Sequence, residues 1–129
     1  MIDVPEIRAT ERTSRGVRLT LWIPAELSYF QGHFHGCPIL PGVVQVAWAI
    51  AMGQQHIPFT GRFRALNAVK FNRVIVPNTT VTLQLDYNAD KQQLDFTYAI
   101  EGSPCSNGTI NFEAAAIPTP PPGEGRGVG

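Results

Sequence analysis

Between residues 79 and 88 the chain alternates. Val81, Leu83, Leu85 and Tyr87 are apolar, while Thr82, Gln84 and Asp86 between them are polar. A period of two marks a strand with one covered face, and strict alternation is the signature of an antiparallel sheet. The segment LDFTYAI repeats it with Phe96 and Tyr98, and Leu19, Leu21 and Ile23 repeat it near the start. Strands are therefore expected over 5–12, 17–23, 64–75, 79–88, 92–101 and 107–116. Turn residues separate them at Ser14-Arg15-Gly16, Pro77-Asn78, Asn88-Ala89-Asp90 and Gly102-Ser103-Pro104. Pro24 ends the second strand, and residues 25–41 read as loop.

One stretch breaks the alternation. Pro41-Gly42 leads into VVQVAWAIAM, apolar on every side except for Gln45. Its valines fit a strand or a helix, but its length and its Ala-rich second half favour a helix over about 42–55. A helix apolar all round has to be enclosed. The sequence thus describes an α+β protein in which an antiparallel sheet wraps one central helix. The domain spans 1–116, followed by a Pro/Gly-rich tail, 117–129, with almost nothing to bury and expected to be disordered.

Composition narrows the function classes. Ten basic residues balance ten acidic ones, so no electrostatic footprint for nucleic acid or an anionic membrane exists. The opening MIDVPEIRATER is charged from the start and has no apolar core of a secretory signal. The longest apolar stretch is too short and interrupted to span a bilayer. The two cysteines, Cys37 and Cys105, fall short of a disulfide framework and fit free thiols in a reducing, cytoplasmic setting.

Chemistry concentrates in GHFHGCPILPGVVQVAWAI, residues 32–50. His33, His35 and Cys37 alternate in a way that suits zinc, but a fourth ligand is missing and no metal is expected. Cys37 as a nucleophile would need an activating base; a loop thiol beside Pro38 accounts for it more simply. His33 lies nine residues before Gly42. A neutral imidazole is a suitable base near neutral pH. The first amides of an enclosed helix suit a developing oxyanion, and a glycine there admits a carbonyl close to the backbone. His56 follows the helix as a dipole partner or an exposed residue. Trp48 reads as core or interface bulk.

The run Gly32-His33-Phe34-x-Gly36-x-Pro38-x-x-Pro41-Gly42-Val43 resembles the signature of the beta-hydroxyacyl-ACP dehydratases, which have the hotdog fold. A second run, Val69-Lys70-Phe71-x-Arg73-x-Ile75-x-Pro77, is similar to that family's strand entering the sheet, and the likeness covers roughly residues 5–116. The resemblance implies a sheet around a central helix, and two protomers pairing into one continuous sheet with the active site at their interface. It gives His33 the role of base and Gly42 that of the amide binding the thioester carbonyl. Val43, Phe34 and Gln45 join Gly42 as substrate-binding residues. Arg62, Arg64 and Arg73 are candidates for meeting an acidic carrier protein, and no cofactor is implied.

One position departs from the pattern. The family carries Glu or Asp fourteen residues after the histidine, where this chain has Ala47, and a methyl group moves no proton. Gln45 could position a water but is no acid. Three functions fit. The first is dehydration of a 3-hydroxyacyl thioester on ACP or CoA, with a mixed dimer partner, a second hotdog subunit, supplying the acid. The other two are a non-catalytic acyl-thioester binding subunit and an acyl-thioesterase. A weaker whole-chain likeness to aryl-polyene dehydratase subunits fits the first. A homodimer or a mixed dimer is expected.

Overall fold

A computed structural model describes residues 2–30 and 38–114. The chain runs β1 (Glu6–Arg12), β2 (Gly16–Ile23), a single 3-10 turn at Ser28–Phe30, α1 (Gly42–His56), β3 (Arg62–Phe71), β4 (Thr79–Asn88), β5 (Gln93–Ile100) and β6 (Ser103–Glu113). The strands form one sheet in the order β1-β2-β4-β5-β6-β3, and every pair is antiparallel. The expected tail, 117–129, lies outside the described residues, as do His33, Phe34, His35 and Cys37.

Alternation builds the core. Leu19, Leu83 and Tyr98 are aligned across β2, β4 and β5, as are Val17, Leu85 and Phe96. All six are buried, and α1 adds Val44, Val46, Trp48, Ala49 and Met52 to the same cluster. Burying a large apolar side chain contributes about 1.5–3 kcal/mol, so these rows and the helix hold one another. Trp48 is core: its indole N–H donates to the Asp3 carbonyl at 3.2 Å and its ring meets Tyr29 edge-on. His56 ends the helix, and its carbonyl accepts from the Arg12 guanidinium at 2.6 Å.

Three expectations need correction. The last strand begins at Ser103 rather than 107, because Glu101 and Gly102 make the turn alone with φ of 49° and 80°. Pro104 is tolerated inside it because β3 has ended there, leaving that flank of β6 without a ladder. β3 stops at Phe71 rather than 75. The amides of Asn72 and Arg73 turn back to the Cys105 carbonyl, at 2.7 and 3.1 Å. Finally, α1 is not enclosed all round: Val43, Ala47, Ala51 and Gln54 are exposed, a stripe at the three-to-four-residue spacing of one helix face. Its neighbour β3 is an edge strand with exposed Phe63, Leu66 and Phe71. The sheet of one chain covers the helix on one side only.

β3 shows why its alternation is hard to read. Two register shifts, between Phe63 and Ala65 and between Asn67 and Lys70, set Phe63, Leu66 and Phe71 opposite Phe112, Ile110 and Ser106. Ala68 takes a left-handed φ of 50° inside the second. Bulges re-aim side chains. Here they bring residues spaced three and five apart onto the face that looks toward α1.

Candidate active site at the helix start

The start of α1 is held from two directions. The Leu40 amide donates to the Ile75 carbonyl at 2.8 Å, so the segment before the helix is tied to the segment after β3. The described end of the first resemblance run, Pro38–Val43, therefore meets the second in space. Within the helix, the amides of Val44 and Gln45 both reach the Pro41 carbonyl, at 3.1 and 3.2 Å. Helical geometry leaves the amides of Gly42 and Val43 without an intrahelical acceptor, and the helix dipole favours negative charge there.

Gln45 is 3% exposed, and its side-chain nitrogen, side-chain oxygen and main-chain carbonyl are each hydrogen-bonded. Its side-chain amide donates to the Leu40 carbonyl at 3.2 Å, its side-chain oxygen accepts from the Ser106 hydroxyl at 2.6 Å, and its main-chain carbonyl accepts from the Tyr98 hydroxyl at 2.7 Å. Tyr98 and Ser106 are register partners on β5 and β6, so Gln45 bolts the first turn of the helix to the middle of the sheet. Burial pushes the Tyr98 hydroxyl well above its ordinary range, which keeps it a donor. Gln45→Leu should destabilise the fold by about 2–4 kcal/mol, because it strands the Leu40 carbonyl and the Ser106 hydroxyl. Urea unfolding measures this, and with Ser106→Ala added the losses should sum to less than additive.

Among the described residues, two cavities flank the helix start. One, of about 360 Å³, is lined by Ile39, Leu40, Gly42, Gln45, Phe71, Asn72, Arg73 and Val74. The other, of about 410 Å³, has a wholly apolar outline: Val43, Val46, Ala47, Ile50, Phe63 and Leu66, again with Gly42 and Phe71. Ala47, where the acid would stand, thus opens into the apolar cavity on the uncovered face of the helix. Gly42, Val43 and Gln45 lie together at the helix start, while Val46, Ile50, Phe63, Leu66 and Phe71 were not among the site residues singled out in the sequence. The apolar run carried a signal for the first two. The β3 residues were hidden by the bulges.

Arg62, at the start of β3, is paired with Glu113 at 2.8 Å. Arg73, beyond the end of β3, lines the polar cavity. Cys105 is a buried free thiol. Burial raises its pKa, partly offset by the Arg73 charge, so it is a poor nucleophile.

A six-stranded antiparallel sheet over one helix, with a cleft at the helix start, defines a hotdog-fold protein. The profile of the ApeI-like family, described as ApeI dehydratase, matches residues 8–109, and the chain belongs to that family. Among solved structures, the dehydratase heterocomplex ApeI:P from Xenorhabdus doucetiae matches with a TM-score of 0.78 and 28% identity over 84% of this chain and 96% of that one. A protein of Erwinia carotovora subsp. atroseptica matches with a TM-score of 0.77 and 32% identity, covering 86% of this chain and 97% of that one. The 3-hydroxyacyl-[acyl-carrier-protein] dehydratase FabZ of Alkaliphilus metalliredigens is 34% identical over 67% of this chain and 63% of its own length. That of Acetivibrio thermocellus is 32% identical over 65% of this chain and 64% of its own. The chain spans just under two thirds of the length of these two relatives. No helix among the described residues is long and apolar enough to cross a membrane.

Proposed function

We propose that this chain is the histidine-bearing subunit of a 3-hydroxyacyl-thioester dehydratase whose acid comes from a second hotdog subunit. His33, placed by sequence resemblance, takes a proton from the carbon next to the thioester carbonyl. The amides of Gly42 and Val43 hold the oxygen as it gains charge. The bond from C3 to its hydroxyl then breaks, and the hydroxyl leaves as water with a proton from a carboxylic acid. Nothing at position 47 can give that proton.

The observation that carries the proposal is the placement of Ala47. It lies on the exposed helix stripe, in the apolar cavity beside β3, whose outer edge is unpaired among the described residues. A subunit adding its own strand to that edge would cover the stripe and bring its side chains to the cavity. Phe63, Leu66, Phe71 and Val43 are the exposed apolar residues it would bury. The ApeI:P relative is itself a heterocomplex, which supports a partner of the same fold. A cytoplasmic site and an ACP- or CoA-borne substrate go with this reading. The position of Arg73 in the lining of the polar cavity supports it as the arginine that meets the carrier.

The same alanine also suits a subunit that holds an acyl thioester and performs no chemistry. Incubating the chain with a 3-hydroxyacyl thioester, alone and with a carboxylate-bearing hotdog subunit, separates the two. The proposal expects enoyl thioester only in the mixture. No enoyl product in a mixture that forms a stable complex favours the binding subunit, and release of free thiol would indicate a thioesterase.

A further inference from the structure

Phe71 stands where the two cavities meet. A Cβ added at Gly42 would lie 2.7 Å from Cζ and 2.8 Å from Cε1 of its ring, so the ring rests on the Gly42 Cα. Gly42 and Phe71 are also the two residues common to both cavity linings. On one side of the ring lie Gln45, Asn72 and Arg73; on the other every side chain is apolar. In the single chain the ring is 53% exposed, and exposed side chains change rotamer in picoseconds to nanoseconds. There it is a wall that can turn.

We propose that Phe71 is the partition between the cavities and that it selects acyl thioesters unbranched at the carbon next to the carbonyl. The inference rests on the function proposed above. With the carbonyl at the Gly42 and Val43 amides, the polar arm bearing the sulfur suits the Gln45–Arg73 side. The acyl chain crosses to the Val46–Ile50 side, and its first carbons pass the ring edge. A linear chain needs the ring only to turn aside, whereas a methyl branch there competes for the volume the ring keeps. The specificity comes from the close approach of ring to glycine, which no larger residue at position 42 would permit.

Two stable ketone probes test it: the 2-oxooctyl thioether of pantetheine and its 3-methyl-2-oxooctyl counterpart, branched on the far side of the carbonyl. Calorimetry on the full chain should show the linear probe binding about tenfold tighter, the usual scale for one methyl in a close-fitting pocket. In Phe71→Ala the preference should fall below about threefold, mainly through tighter binding of the branched probe. Phe71→Leu gives the same test with more of the packing retained. A preference unchanged in both variants overturns the partition. Failure of the wild type to bind either probe overturns instead the thioester reading beneath it. Independently of any ligand, Gly42→Ala should lower the melting temperature, and the loss should shrink in the Phe71→Ala background. Strict additivity would show that the ring does not rest on Gly42 in solution.

Discussion

Replacing His33 with alanine is expected to cut enoyl-thioester formation in the two-subunit assembly by roughly 10²–10⁴-fold, the usual contribution of a positioned general base. The complex should still form and melt as before. The carbonyl is held by main-chain amides that the substitution does not touch, so KM should change far less than kcat. Stopped or steady-state assays of enoyl absorbance read both constants. A variant that keeps full turnover would remove His33 from the chemistry and leave the helix amides as a binding device.

The second large effect is a gain. Ala47→Glu should give the chain alone a dehydration activity it otherwise lacks, on the order of 10²-fold above its background. The position has room for the side chain, because Ala47 is exposed and opens into the apolar cavity. Apolar surroundings raise a carboxyl pKa, which keeps the proton on the acid near neutral pH, where the leaving hydroxyl needs it. In a symmetric pair of this chain, residue 47 of each copy lies on the uncovered face that the other would close. A well-folded Ala47→Glu chain that pairs with itself and stays inert would mean that more than the acid is missing.

How much of this was legible in the sequence depended on how regular each element is. β2, β4 and β5 alternate without interruption, and their positions and covered faces were read correctly from Leu19, Leu83, Phe96 and their neighbours. β3 was misread at its far end because Asn72 and Arg73 turn back to Cys105, and two bulges break its period within, so Phe63, Leu66 and Phe71 look unrelated along the chain although they share a face. The apolar helix was read as enclosed on all sides. A sequence that buries one face in its own sheet and another in a partner looks the same as one buried by a single chain. That ambiguity is physical: the pattern records which residues leave water, and says nothing of whose atoms replace it.

The site was legible in a different way. The two resemblance runs lie some thirty residues apart in sequence, and the meeting of the second with the described end of the first, Pro38–Val43, required the fold, through the Leu40–Ile75 hydrogen bond and the Phe71–Gly42 contact. Gln45 was read as a polar residue free to position water. Its partners, Tyr98 and Ser106, come from strands more than fifty residues away, so no local pattern could reveal that it fastens the helix. The absence of the acid needed no structure at all. What the structure added is where Ala47 lies: on the exposed helix face, beside the edge strand of the described sheet.

The central physical claim is that the first two amides of α1 receive a thioester carbonyl. Amide NMR of the isotope-labelled chain, titrated with the linear 2-oxooctyl thioether of pantetheine, addresses it directly. The Gly42 and Val43 resonances should move farthest, ahead of any in β1 or at the far end of the helix. Saturable binding that leaves those two amides unmoved while others shift would contradict the account.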